Sequence, residues 1–233
     1  MEAALIIVAG GHGSRMQTEI PKQFLLLAGR PVLMHTLERL HTNMPEAPLV
    51  LVLPTQKIPA WKELCTQYDF QIPHVFCAGG KHRFDSVKMG LAYLQSNFPL
   101  HEDTLIGIHD GARPLLDPQT LKRAFETARQ HHTAVPVVES RDSLRIETPD
   151  GNQTLDRKKV FAVQTPQVFK AAYLLKAYQQ TYQTSFTDDA AVVENSGYPI
   201  HLCTGNTQNL KLTYPIDLAL AELILRGSSN NPK

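Results

Sequence analysis

Five short apolar runs, rich in β-branched residues, are separated by stretches of helical period, and this alternation narrows the folds open to the chain more than any other feature. The runs cover residues 4–9, 49–53, 105–109, 134–138 and 200–203, and each reads as a strand buried on both faces. Parallel strands need crossover connections, and the segments between the runs are long enough to supply helices. The expected fold is α/β, with a mainly parallel sheet covered by helices on both sides. With 233 residues the chain can bury a full core, and it is read as one domain over residues 1–226.

The helices are expected at 32–40, 83–94, 118–130, 171–180 and 215–225. In the third, Leu121, Ala124, Phe125 and Ala128 form one apolar stripe at i, i+3, i+4 and i+7. Asp117 and Pro118 supply its N-cap and a proline at the first helical position, and Pro215 with Asp217 starts the last helix in a similar way. The alternation breaks between 140 and 160. There Leu144 and Ile146 alternate with Arg145 and Glu147, and Asp150-Gly151 signals a hairpin turn. A β-arm protruding from the domain is expected, with an extra antiparallel pair on the sheet edge as the plainer alternative. Residues 227–233 read as a disordered tail.

Lys and Arg number 23 against 22 for Asp and Glu, so the chain lacks the basic surplus that a general nucleic-acid binder needs. Cys65, Cys77 and Cys203 form no CxxC pair, which favours a reducing compartment over a disulfide framework or a zinc site. The first apolar run has no positively charged flank and is too short to span a bilayer. A cytoplasmic protein with neither nucleic acid nor membrane as partner is expected.

The first strand runs straight into Ala9-Gly10-Gly11-His12-Gly13-Ser14-Arg15-Met16, followed by Pro21-Lys22-Gln23. Glycines let backbone N–H groups turn inward toward a phosphate, and Arg15 and Lys22 add charge to the same loop. Two common phosphate loops fail on spacing. A Walker A loop begun at Gly10 or Gly11 would need its second glycine where Arg15 or Met16 stands. A dinucleotide fingerprint would need a third glycine at Met16 and an acid about 20 residues on, where the chain offers His35 and Thr36.

What remains resembles the signature of the sugar-phosphate nucleotidyltransferases, and the cytidylyltransferase branch in particular. Gly79-Gly80-Lys81-His82-Arg83-Phe84-Asp85-Ser86-Val87 and His109-Asp110-Gly111-Ala112-Arg113-Pro114 are similar to two further elements of that branch. Gln164-Thr165-Pro166-Gln167, Thr187-Asp188-Asp189-Ala190 and Asn209-Leu210-Lys211-Leu212-Thr213 complete six blocks in the family's order. Within the branch the chain is most similar to the 2-C-methyl-D-erythritol 4-phosphate cytidylyltransferases of the non-mevalonate isoprenoid pathway. Asp156-Arg157 and the Thr187 block set it apart from the ribitol 5-phosphate enzymes. Gly10 and Gly111 stand where the family often has alanine, and Ser143 where it commonly has threonine.

The resemblance implies a Rossmann-like nucleotidyltransferase fold, CTP as one substrate, a polyol phosphate as the other, and Mg²⁺ as cofactor. It implies a homodimer in which each β-arm reaches the partner's site. The alternatives are a pentitol phosphate acceptor and, from another class, a non-catalytic nucleotide-binding module; a dehydrogenase is disfavoured by the missing third glycine. Arg15, Lys22 and Lys211 are the implied catalytic cations. Ala9, Gly10, Gly11, Gly13, Gly80, Ser86, Asp110 and Gly111 are the implied nucleotide contacts, Gly80 through its backbone to cytosine. Arg113, Ser143, Arg157 and Thr187 are the implied acceptor group.

Several of these residues have a plainer reading. Asp110 ends an apolar strand, where α/β proteins place ligands, and a lone carboxylate beside a triphosphate suffices for magnesium; the plainer reading is an aspartate that caps a helix or turn. Lys22 and Lys211 could be solvated surface lysines, Arg15 could pair with Glu19, Ser86 could be an N-cap, and Arg157 could belong to an exposed basic run. His109 reads as a packed, hydrogen-bonded histidine rather than a ligand.

Overall fold

The computed structural model describes residues 1–229 apart from His12, Gly13, Gln17 and Glu19. The nucleotide contact expected at Gly13, the Arg15–Glu19 pair and residues 230–233 therefore lie outside the described residues.

Chain order begins with β1 (Ala3–Val8), the two-residue strands β2 (Leu26–Leu27) and β3 (Arg30–Pro31), α1 (Val32–Asn43) and β4 (Leu49–Leu53). It continues with α2 (Ile58–Gln67), β5 (Val75–Ala78), α3 (Arg83–Asn97), β6 (Leu105–Asp110), α4 (Pro118–His131) and β7 (Thr133–Glu139). The second half holds β8 (Leu144–Thr148), β9 (Gly151–Leu155), β10 (Phe161–Val163), β11 (Gln167–Lys170), α5 (Ala171–Ala177), α6 (Asp189–Asn195), β12 (Leu202–Thr204) and α7 (Pro215–Ser229). The expected strands and helices are all present with small boundary shifts. The last helix extends to Ser229, past the start assigned to the tail.

Eight strands form the central sheet in the order β10-β7-β11-β6-β1-β4-β5, with β12 on β7. Residues alternate between two cores, as the two-residue period of a strand requires. Leu5, Ile7, Leu49 and Leu51 face α1, α2 and α4, while Ala4, Ile6, Val50 and Val52 face α3, α5 and α6. Asp117 caps α4 through the N–H groups of Gln119 and Thr120. Asp217 accepts from the N–H groups of Thr213 and Tyr214 at the start of α7.

The sheet is more mixed than expected. β1 is parallel to β4 and β6, β4 to β5, and β7 to β12. β11 is inserted antiparallel between β6 and β7. β10 and β11 pair with successive parts of β7, and the register slips between Val163↔Val137 and Val168↔Ala134. The slip falls at Gln164-Thr165-Pro166, so this block leaves the ladder and reaches the site described below, a placement typical of bulged strands.

Among the described residues β8 and β9 pair only with each other, which makes the hairpin an arm rather than an addition to the sheet edge. Thr148 pairs with Gly151, so the turn residues are Pro149 and Asp150, one position earlier than Asp150-Gly151 suggested. Gly151 has φ +125, which strains any other residue.

Trp61, fully buried, anchors α2 against Phe24, Phe70 and His74. Its indole N–H donates to His74 Nε2 at 2.9 Å, so the ring must carry its proton on Nδ1, which donates to the Ile72 carbonyl at 2.8 Å. Burial pushes the His74 pKa below the ordinary histidine value, against the pull of that carbonyl. Unfolding therefore takes up a proton, and this stabilisation is complete above the ordinary histidine pKa and is lost as pH falls below it. The thermal midpoint should drop between about pH 6.5 and pH 5, with Trp61 fluorescence following the transition. His74→Gln, whose amide oxygen still accepts from Trp61, should reduce the slope; His35 and His109, also depressed by burial, keep it from vanishing. An unchanged slope would show that His74 does not titrate on unfolding.

Candidate active site

The carboxyl ends of four parallel strands, β1, β4, β5 and β6, open into one cleft of about 510 Å³. That is where open α/β sheets place their ligands. Gly10 and Gly11 leave β1, Thr55 and Gln56 follow β4, Gly79 and Gly80 follow β5, and Asp110 ends β6. Every residue of β6 is buried, so this strand carries a carboxylate inward to the floor of the cleft.

Asp110 is 7% exposed and meets three cations. Lys211 Nζ lies 2.9 Å from Oδ2, Arg113 Nε 3.5 Å from Oδ2, and Arg83 Nε 3.5 Å from Oδ1. Burial alone would raise the carboxyl pKa, but Arg83, Lys211 and Arg113 overcome it and hold the group far below the usual carboxylate range. Asp110 is thus an ionised acid rather than a turn cap.

Lys22 reaches the same cleft from the loop after Pro21 and donates to the Leu212 carbonyl at 2.9 Å. Burial, with Lys211 nearby, pushes its pKa down to about 8. It remains mostly protonated at neutral pH. Beside it, Gln23 is 2% exposed and donates to the Ala9 carbonyl at 2.7 Å, which fixes the exit of β1. Arg15 is exposed, with its guanidinium 5.7 Å from the Tyr214 ring centre, and contributes to the lowering at Lys22.

The Gly79–Gly80 loop is fastened to the start of α3. Ser86 Oγ accepts from Gly80 N–H at 3.2 Å and donates to the His82 carbonyl at 3.1 Å. The N-cap of α3 is His82, whose N–H donates to Asp85 at 3.0 Å, so Ser86 braces the loop instead of capping the helix. A Cβ at Gly80 would collide with Asp85 Cβ, which leaves glycine as the residue that fits. Gly111 sits behind the cleft, where a Cβ would come within 3.0 Å of Ala9 Cβ and 3.1 Å of Leu33 Cδ1.

His109 is fully buried and makes two hydrogen bonds that fix its tautomer. The Arg113 carbonyl can only accept, so Nε2 carries the proton at 3.2 Å from it. Nδ1 then accepts from Thr165 Oγ1 at 2.9 Å, and Thr165 in turn accepts the Asp110 N–H at 3.0 Å. Burial lowers the His109 pKa to about 4, so the ring is neutral and structural.

The four residues expected on the acceptor side are not gathered within one chain. Arg113 is 9% exposed and gives its Nη atoms to the Asn209 and Val163 carbonyls, at 2.8 and 3.4 Å. Thr187 is exposed, with its N–H on the Ser185 carbonyl, outside the lining of the Asp110 cleft. Ser143 is exposed on the arm. Arg157 donates to the Arg141 carbonyl at 3.3 Å beside a separate cleft of about 860 Å³ between the arm's root and β12. That cleft is the larger, but it holds no comparable cluster of ion pairs.

Three residues with evident roles in the site carried no individual expectation: Arg83, Asp189 and Gln23. All three lie inside the sequence blocks named above, and for Arg83 a charged residue in a glycine loop is the available signal. Asp189 pairs with Arg83 through a contact spanning 106 residues of sequence, which no local pattern exposes. Lys22, Lys211, Arg83 and Arg113 outnumber the carboxylates they face, so the cleft presents surplus positive charge to an anion.

A sequence profile of the family IspD, 2-C-methyl-D-erythritol 4-phosphate cytidylyltransferase, matches residues 3–227. The enzyme of that description from Bacteroides thetaiotaomicron is 44% identical over 225 residues, covering 97% of this chain and all of the relative. The one from Porphyromonas gingivalis is 46% identical over 221 residues, covering 94% and 96%. The crystal structure of 2-C-methyl-D-erythritol 4-phosphate cytidylyltransferase from Thermus thermophilus superimposes with a TM-score of 0.77 at 30% identity, covering 97% of this chain and 100% of that one.

Proposed function

The chain belongs to the 2-C-methyl-D-erythritol 4-phosphate cytidylyltransferase family, and from that membership we propose which of its residues perform each part of the reaction. The enzyme transfers CMP from CTP to 2-C-methyl-D-erythritol 4-phosphate and releases pyrophosphate, a step of the non-mevalonate route to isoprenoid precursors. The observation that carries the residue assignment is the meeting of Asp110 with Lys211 and Arg83 in a cleft that also holds Lys22 and the Gly10-Gly11 and Gly79-Gly80 loops.

In the proposed mechanism an acceptor phosphate oxygen attacks the α-phosphorus of CTP in line. The new O–P bond forms as the bond to the bridging α–β oxygen breaks, and pyrophosphate leaves with that electron pair. A phosphate monoester is already largely ionised at neutral pH, so no general base is needed, and His109 is buried and fixed as a neutral ring. Lys22 and Lys211 stabilise charge on the oxygens around the crowded phosphorus, with Arg15 at the triphosphate end. Main-chain groups of Ala9, Gly10, Gly11 and Gly13 receive the nucleotide, and Gly80, braced by Ser86, meets the base.

Asp110 is the group that would hold Mg²⁺. A single ionised carboxylate suits a magnesium ion that takes its remaining ligands from triphosphate oxygens and water. Among the described residues no three His, Cys, Asp or Glu side chains form a self-sufficient cage. Such an ion would neutralise triphosphate charge.

The arm supports a homodimer. Among the described residues it pairs with no strand of the central sheet, and Phe161, Val163 and Leu202 near its root are 38%, 42% and 49% exposed. Ser143 and Arg157 are then read as reaching the partner's acceptor site, opposite Arg113 and Thr187, in an isologous exchange. The free thiols of Cys65, Cys77 and Cys203 suit a cytoplasmic enzyme, and no helix among the described residues is long and apolar enough to cross a membrane.

Pyrophosphate release from CTP and Mg²⁺ should require methylerythritol phosphate and be absent with ribitol 5-phosphate. Release only with the pentitol phosphate would move the acceptor assignment, and CTP binding without turnover on either would favour a non-catalytic module. In the same assay Lys22→Ala should fold normally and lose about 10²–10³ in turnover; near-normal turnover would remove Lys22 from the mechanism. Mixing inactive Arg157→Ala and Arg113→Ala proteins should restore part of the activity, because some heterodimers regain one intact site. No recovery after subunit exchange would refute shared sites.

A further inference from the structure

The ion pair of Arg83 with Asp110 continues into a second carboxylate at the back of the cleft. Asp189, at the start of α6, is fully buried. It accepts from Arg83 Nη1 at 2.7 Å and Nη2 at 2.6 Å, and from the Tyr178 hydroxyl at 2.6 Å. Arg83 is the first residue of α3, directly after the Gly79-Gly80 loop. Both of its Nη atoms are held by Asp189, so it turns only Nε toward Asp110, at 3.5 Å.

A guanidinium offers paired N–H groups that match a carboxylate in a two-pronged bond, and that bond is much stronger than a single long contact. Arg83 lies between two carboxylates, Asp110 and Asp189, and the one that takes the Nη pair governs its orientation. Removing the Asp189 charge leaves a half-buried cation with one remaining carboxylate, and the Nη pair would then turn to Asp110. Asp110 would be closed off by Arg83 in addition to its contacts with Lys211 and Arg113.

We infer that Asp189 is a positioning residue of the reaction: by holding the Nη pair of Arg83, with Tyr178 steadying its carboxylate, it keeps Asp110 open to a divalent cation. This rests on the reading of Asp110 as the metal-holding carboxylate.

The test uses the full chain with Mg²⁺ and CTP as probes. For wild type, Asp189→Asn and Tyr178→Phe, CTP affinity is measured by calorimetry with and without Mg²⁺, alongside the Mg²⁺ concentration that half-saturates pyrophosphate release. Asp189→Asn should raise the Mg²⁺ requirement about 10–100-fold and lose most of the metal-dependent gain in CTP affinity, while metal-free CTP binding changes little. Tyr178→Phe should shift both in the same direction by less. A purely structural role would lower the thermal midpoint and leave the Mg²⁺ requirement unchanged, which would overturn the inference. If Asp189→Asn does not fold, an unchanged Mg²⁺ requirement in Tyr178→Phe overturns it instead. If wild type gains no CTP affinity from Mg²⁺, the reading of Asp110 itself fails, and the inference with it.

Discussion

A carboxylate buried at the end of a fully buried strand is costly unless cations surround it, and in this molecule Asp110 draws four segments of chain to one point. Arg83 comes from the first turn of α3, Arg113 from the turn after β6, and Lys211 from the loop before α7, while Thr165 receives the Asp110 N–H from the break between β10 and β11. The parallel strands set the depth at which these groups meet, and the two apolar cores on either face hold the strands in register. Without Asp110 the cations would repel one another; without the cations the carboxylate could not remain ionised at that depth.

The same balance explains why the cleft suits a triphosphate. Asp110 does not neutralise all of the positive charge around it, and Lys22 feels the surplus as a lowered pKa on top of the effect of its burial. A polyanion relieves that repulsion, so groups that are unfavourable toward one another are favourable toward the ligand. Donors fixed in advance need little reorganisation during the reaction, and this is how a site without a general base can still accelerate phosphoryl chemistry. His109 illustrates the division of labour. Its tautomer is set by the Arg113 carbonyl and Thr165, so it ties β6 to the Gln164-Thr165-Pro166 block rather than titrating.

Much of this was legible in the sequence because it depends on local signals. Strands of β-branched residues, the glycine loop after β1, the Asp117 cap and the hairpin all follow from patterns a few residues long. The antiparallel β11 was not legible, because Gln167-Val168-Phe169-Lys170 is too short to show a period and its first residue is a buried polar side chain. Its glutamine is satisfied by Asp188 and Ala190, which come together with it only in the fold. Asp189 was hidden for a similar reason, since the partner that gives it meaning lies in α3. The hairpin turn was misplaced by one residue because Asp-Gly is a strong turn signal, while Pro149 takes the first turn position and leaves Gly151 paired. Resemblance could point to Arg113, Ser143, Arg157 and Thr187, but one chain alone does not bring them to a common site.

Asp110→Asn, followed by CTP affinity without metal and by pyrophosphate release with Mg²⁺, tests directly whether this carboxylate is the point where the reaction is assembled. Loss of its charge should leave the cations without a counter-ion and make metal-free CTP binding as tight as in wild type or tighter. Pyrophosphate release should fall by about 10²-fold or more. Near-normal release with Mg²⁺, or a loss of CTP binding that matches the loss of turnover, would contradict the placement of Asp110 at the centre of the site.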